Sequence, residues 1–220
     1  MRDAIGRSFL ARLPREALDE LVDGAALEDV PAGTMTYRPA DDPRFALVVR
    51  GLLRVYYEAS DGRQVTVRYA RAGDALGVVA MAGGPAPLHT QAIVDSQRLR
   101  LSMEKLRALA QRDPEVAWGI VEELSQSIHN LWRELADTAF ASVPQRVARH
   151  LLEIAATQQE SGGPLVAHIS QQDLADHVGS VREVVARALR DLKNESIVRV
   201  TRAGIVVVDP DALASRAWSS

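Results

Sequence analysis

Residues 169–192, ISQQDLADHVGSVREVVARALRDL, carry two apolar stripes of helical spacing separated by a single glycine. Ser170 has the side chain of an N-cap, and Asp173 puts a carboxylate in the first turn that follows, where the helix dipole favours it. Leu174, Ala175 and Val178 form the inward stripe of this first helix. Gly179 stands where the chain must turn with positive φ, which glycine does without a Cβ penalty. Ser180 is read as the N-cap of a second helix, with Glu183 as its capping-box partner. Val185, Ala188, Leu189 and Leu192 face inward on that helix, and Ala175 is small enough to let the two helices cross closely. Arg182, Glu183, Ala186, Arg187 and Arg190 remain on its outer face.

That outer face has a chemistry of its own. A guanidinium bonds a guanine edge in bidentate fashion and a carboxylate accepts from a cytosine amine, both from the N-terminal half of a helix lying in the major groove. Arg182 and Glu183 are the expected base readers, Arg187 one turn on reaches a base or a phosphate, and Arg190 a phosphate. Ser170 and Gln171 at the start of the first helix, with Ser180, Val181 and Ala186 beside the readers, complete the expected DNA surface. The competing reading is a solvated amphipathic helix whose arginines only keep it soluble. The number of positions satisfied in one short stretch favours DNA.

The rest of the chain sets limits. Its 220 residues, 47% hydrophobic, suffice for two modest domains. A net charge of −3 argues against a nonspecific coat on nucleic acid while allowing a local basic face. With no cysteine, disulfides, thiolate zinc sites, cysteine-held iron–sulfur clusters and cysteine nucleophiles are all excluded. The opening residues are charged throughout and no long apolar run follows, so a soluble cytoplasmic protein without a membrane partner is expected.

Working outward, residues 8–21 read as a helical entry, and residues 27–101 as short strands punctuated by glycine. The clearest hairpin is Leu53 to Tyr69, where Leu53, Val55 and Tyr57 alternate with Arg54 and Tyr56. Beyond the Ser60-Asp61-Gly62 turn, Val65, Val67 and Tyr69 alternate with Thr66 and Arg68. Gly33, Gly51, Gly62, Gly73 and Gly77 at the joints point to an antiparallel barrel or jelly roll. A long helix then spans residues 113–140. Ala117, Val121, Leu124, Ile128, Leu131, Leu135 and Thr138 fall on it at alternating spacings of four and three, a heptad seam whose simplest partner is its own copy. Trp118 and Trp132 are read as covering the barrel side of this helix. Residues 140–144 mark a boundary, and Ser142 with Gln145 starts a new helix reaching about Gln158. A loop at 160–164, a short strand at 166–169 and a hairpin over 197–208 follow. The hairpin reads as a wing whose Arg199 and Arg202 touch phosphate. The expected architecture is therefore α+β: an antiparallel β jelly-roll barrel over 1–112, a dimerisation helix over 113–140 and a winged helix-turn-helix over 141–220.

In this order the elements resemble the Crp/Fnr family of bacterial transcription regulators over nearly the whole chain. VPAGTMTYRPADDPRFALVVRGLLRVYYEASDGRQVTVRYARAGDALG, residues 30–77, looks like the family's sensor barrel, and ISQQDLADHVGSVREVVARAL, residues 169–189, is similar to its DNA-reading signature. The resemblance implies a homodimer on double-stranded DNA, with RNA polymerase as a further partner. It also implies that Arg182, Glu183 and Arg187 are the readers. The family's usual Ser or Thr before that arginine is Val181 here.

The sensor half departs further. Members that bind cyclic AMP carry a Gly-Glu pair where Gly77-Val78 stands, an Arg-Ser pair where the chain reads Pro85-Ala86-Pro87-Leu88, and Thr-Ser near Leu131-Trp132. A buried cyclic phosphate without these would lose charge-assisted hydrogen bonds of about 1.5–3 kcal/mol each while still carrying its desolvation cost, so no cyclic-nucleotide binding and no bound cofactor are expected. Val78, Val79, Met81, Leu131 and Trp132 make an apolar pocket lining, which suits a hydrophobic effector or a pocket closed on itself. His89 is either a haem or metal ligand of that pocket or an ordinary packed residue. Barrels of this kind also host cupin-type metal enzymes. That chemistry needs several converging histidines and carboxylates, and the pocket segment offers His89 alone, so no enzyme activity is expected. A nonspecific architectural DNA binder is the remaining alternative, and the readers Arg182 and Glu183 argue against it.

Overall fold

Pro14 breaks the amino-terminal run, which was expected to be one helix. The computed structural model places α1 at Arg2–Arg7, a 3-10 turn at Phe9–Arg12 and α2 at Arg15–Val22, because a proline inside a helix removes a donor and clashes with the preceding turn. The structure describes residues 1–218 except 40, 43, 63, 160–162 and 203, and only the backbone of 82, 134 and 136–139. The chain separates into two compact units, Met1–Asn130 and Leu131–Ser220.

The first unit continues with β1 (Ala26–Val30), β2 (Met35–Tyr37), β3 (Phe45–Arg50), β4 (Leu53–Glu58), β5 (Gln64–Ala70), β6 (Ala75–Leu76), α3 (Ala80–Gly83), β7 (His89–Ala92) and β8 (Ser96–Leu101). They form two four-stranded antiparallel sheets, ordered β1-β8-β3-β6 and β2-β7-β4-β5, the jelly-roll arrangement. Val48 of the first sheet packs on Leu53 and Ala70 of the second, with Leu76 beside them. Helix α4, Met103–Arg112, was not foreseen; Ser102 caps it by accepting from the Lys105 amide at 3.1 Å. The helices close one side of the strands: Leu10, Leu21, Leu106, Leu109, Val116 and Ile120 join Phe45, Leu47 and Leu99 in one buried cluster.

The β4–β5 hairpin forms, with an irregular register. Val55 pairs with Arg68 and Tyr56 with Thr66, so the register shifts within the hairpin. A bulge of this kind adds a residue to one strand and turns the side chains beyond it. Tyr57 and Val65, paired near the turn end of the hairpin, are exposed, whereas Arg54 is 2% exposed. The Arg54 guanidinium is satisfied by the Thr66 hydroxyl and the Gln64 amide oxygen, both at 2.9 Å, and lies over the Tyr56 ring.

Helix α5, Pro114–Phe140, contains the boundary between the units. The second unit holds α6 (Val143–Thr157), β9 (Val166–Ala167), α7 (Gln171–His177), α8 (Arg182–Asn194), β10 (Val198–Val200), β11 (Ile205–Val207) and α9 (Pro210–Ala217), with β10-β11-β9 forming a small antiparallel sheet. Ser142 and Gln145 make the expected capping box at the start of α6. Val147, Leu151, Leu152, Leu174, Val185, Leu189 and Leu213 are buried in this unit. Among the described residues no helix is long and apolar enough to cross a membrane.

Candidate functional site

Two helices meet at Gly179. Ser170 caps α7, its hydroxyl accepting from the Asp173 amide at 3.1 Å and donating to the Asp173 carboxylate at 2.7 Å. At the other end Gly179 has φ +61, the Ser180 amide donates to Ala175 O at 2.9 Å and the Gly179 amide to Asp176 O at 3.3 Å. Those two bonds are the paired closure of a Schellman turn. Ser180 is therefore consumed in ending α7 and does not cap α8, contrary to the expectation from sequence. The N-cap is Val181, in extended conformation and without a side-chain acceptor, and Glu183 falls in the first turn with no box to close. The reason is the turn itself, which needs one more residue than a cap directly after Gly179 allows.

Helix α8 buries Val185, Ala188, Leu189 and Leu192. On its other side Val181, Arg182, Glu183, Arg187 and Arg190 are exposed and Ala186 is half-buried. Among the described residues, Arg182, Glu183, Arg187 and Arg190 make no ion pair or side-chain hydrogen bond. In the wing, Arg199 and Arg202 are exposed on and beyond β10; the tip residue Ala203 lies outside the described residues. A cleft of about 740 Å³ runs between the wing and α7, lined by Ser170, Gln171, Thr201 and Arg202 together with His168 and His177. Thr201, His168 and His177 were not singled out from sequence, since nothing in their local pattern marks them.

Arg146 was also missed. From α6 its Nε donates to Val178 O at 3.0 Å and its Nη1 to Ala141 O at 2.6 Å, so one half-buried side chain ties the residues before α6 to the end of α7.

The barrel encloses a cavity of about 120 Å³ between its two sheets. Its wall includes Thr36, Ala46, Val55, Leu76, Val79 and Thr90, and the guanidinium-bearing residues Arg44, Arg68 and Arg98. Of the residues expected in an apolar lining only Val79 is there. Val78 is buried in the helix-facing core and Met81 packs on that core. Leu131 and Trp132 belong to the other unit. His89 instead stacks on Tyr56 with ring centroids 5.0 Å apart. Burial raises the Tyr56 phenol above its ordinary range, and Arg54 offsets part of that rise. Among the described residues no group of three histidines or carboxylates is placed to hold a metal ion. The arginines enter because β5 and β8 each present a residue to the space between the sheets, and Gly77 lets the chain pass close to Arg44. At φ +91 a Cβ on Gly77 would overlap the Arg44 carbonyl.

On α5, Val116 and Ile120 turn into the core and Leu124 packs against it. Val121, Ile128, Leu131 and Leu135 are exposed, as are Trp118 at 64% and Trp132 at 60%. Trp118 therefore does not cover the barrel side of the helix, contrary to the expectation from sequence. The core side of the helix is set by Val116 and Ile120, two residues before and after Trp118. Ala117 is half-buried, and the side chain of Thr138 lies outside the described residues.

Comparison with known proteins agrees with this geometry. Residues 27–113 match the cyclic nucleotide-binding domain and residues 145–216 the Crp-like helix-turn-helix domain. The chain is 28% identical over 196 residues to the CRP-like cAMP-activated global transcriptional regulator of Mycobacterium tuberculosis, covering 86% of this chain and 87% of that one. It is 28% identical over 184 residues to the transcriptional regulator SdrP of Thermus thermophilus, covering 82% and 87%. Among solved structures, a regulator assigned to the Crp/Fnr family from Eubacterium rectale superposes with a TM-score of 0.61 at 23% identity, covering 96% and 98%. The catabolite activator protein of Thermus thermophilus gives 0.50 at 25% identity, covering 95% and 97%. With a domain of the first kind followed by one of the second, the chain is similar over most of its length to Crp-family DNA-binding transcription regulators.

Proposed function

We propose that the protein works as a homodimer on a pseudo-palindromic operator, with α8 of each copy in successive major grooves about 34 Å apart. Arg182 and Glu183 read base edges, Arg187 reads a base or phosphate, and Arg190, Arg199 and Arg202 hold phosphates with Ser170 and Gln171. The observation that carries this reading is the exposed set on α8: three guanidiniums and a carboxylate held by no neighbour among the described residues, on a helix anchored by its opposite face. The uncapped first turn of α8 adds amide donors of the sort that bind phosphate.

Pairing of two copies is supported by the exposed Val121, Ile128 and Leu135, one heptad apart along α5, with Leu131 between them. The barrel acts as a sensor that does not take cyclic AMP, because positions 78 and 85–88 offer a cyclic phosphate no charged or hydroxyl side chain. The second reading, a cyclic-AMP-responsive regulator, is favoured by the Mycobacterium tuberculosis relative, which is cAMP-activated. The test is selection of genomic fragments by purified protein, with and without cyclic AMP. One symmetric motif recovered equally in both conditions supports the proposal. A motif recovered only with cyclic AMP supports the second reading, and no enrichment overturns both.

A further inference from the structure

We propose that the cavity between the two barrel sheets binds a small anion, a short carboxylate or an oxoanion, held by Arg44, Arg68 and Arg98. Control of transcription by that anion rests on the regulator reading above; binding itself does not.

Among the described residues, three that line the cavity carry a positive charge and none carries a carboxylate. Arg98 has a side chain only 11% exposed and held by Glu28 at 2.8 Å, but Glu28 also binds Arg100 at 2.8 Å, so one carboxylate is divided between two guanidiniums. Arg68 donates to the carbonyl oxygen of Ala75 at 3.0 Å, an uncharged partner, and also feels the carboxyl of Glu123. Arg44, at the entrance to β3, is exposed and makes no ion pair or side-chain hydrogen bond among the described residues. The wall thus carries more cation than anion, in a space shielded on two sides by sheets, where Coulomb interactions are stronger than in water. An anion relieves that imbalance, and the apolar Ala46, Val55 and Leu76 leave room for a short carbon stem.

Size narrows the occupant. About 120 Å³ is less than half of the ~300 Å³ at which pockets for drug-sized ligands begin. A ligand of a few heavy atoms fits, whereas a nucleotide needs the walls to move.

The test is isothermal titration of the full-length protein at constant ionic strength with acetate, propionate, nitrate, sulfate, phosphate, chloride and cyclic AMP. The expected result is one small anion binding once per chain at least tenfold more tightly than chloride, with affinity falling at least tenfold in Arg68→Gln. Whether the best ligand is a carboxylate or an oxoanion names the source. Should Arg68→Gln not fold by circular dichroism, Arg44→Gln gives the same readout at an exposed side chain. Small anions indistinguishable from chloride, binding unchanged in a folded variant, or binding of cyclic AMP alone would each overturn the proposal. Operator selectivity of the wild type is measured in parallel without added anion. Selective DNA binding with no anion binding removes this site and leaves the regulator. Anion binding with no selective DNA binding supports the site and removes the regulator.

Discussion

Arg146 donates from Nε to the carbonyl oxygen of Val178 at 3.0 Å while its Nη1 reaches Ala141. Val178 ends α7, where carbonyls have no partner within the helix, so the guanidinium closes an acceptor that would otherwise be left open. It also ties the first residues of the DNA-binding unit to its helix-turn-helix. Arg146→Met keeps most of the apolar stem and removes both charged hydrogen bonds. It is expected to lower stability by about 2–3 kcal/mol, read as a drop in the urea midpoint. An unchanged midpoint would show that the two bonds contribute nothing net.

Arg182 and Arg190 share one exposed face but should fail differently. Arg182→Ala is expected to relax preference at one symmetric base pair and to cost about 1–3 kcal/mol per half-site. Arg190→Ala should weaken all duplexes alike and reduce the slope of log affinity against log salt. Fragment selection with each variant, at matched salt, separates the two. A uniform loss from Arg182→Ala would reassign it to phosphate.

Val181 already has the extended conformation of an N-cap and lacks only the acceptor. Val181→Ser should stabilise α8 by about 1 kcal/mol, seen as slower hydrogen exchange at the Glu183 and Val184 amides. Faster or equal exchange would mean that a hydroxyl there finds another partner.

Ile128 lies 48% exposed midway along the apolar face of α5. Ile128→Lys puts a charge into the proposed seam between copies and is expected to shift the protein from dimer to monomer in sedimentation at micromolar concentration. A parent protein that is already monomeric would end the operator model as well.

Burial holds the Glu123 carboxyl above its ordinary range, with Arg68 and then Arg12 pulling it back and Asp74 adding to the rise. Within the window between the ordinary glutamate value and the raised one, the folded chain binds more protons than the unfolded chain. Stability therefore falls as pH rises through that window and levels off above it. Glu123→Gln should lose this part of the slope and gain stability relative to the parent at neutral pH. Urea titrations at a series of pH values check it, and parallel curves for the two proteins would refute the assignment.

The helix-turn-helix was legible because its determinants are local. Ser170, Gly179 and the Val185-Ala188-Leu189-Leu192 stripe each act within a few residues of themselves, so a linear reading finds both helices and their buried faces. It erred by one residue at Ser180, whose backbone amide closes α7 in the Schellman turn, so that the N-cap of α8 falls on Val181. The β4–β5 hairpin shows the opposite case. Its turn was plain, but the register shift between Val55 and Tyr56, which leaves Val67 unpaired on β5, depends on the neighbouring strand and is not visible in the alternation.

Sequence by itself determined the order of elements, the jelly roll followed by a long helix and a winged head, and the arginine-and-glutamate face of α8, since periodicity and capping are properties of adjacent residues. Only the tertiary structure decided what surrounds the barrel cavity and which side of α5 is free. Arg44, Arg68 and Arg98 lie far apart along the chain and converge only when two sheets stack, while Trp118 turns outward because Val116 and Ile120 already occupy the core. Contacts between distant strands depend on pairing and register, which no short window of residues contains.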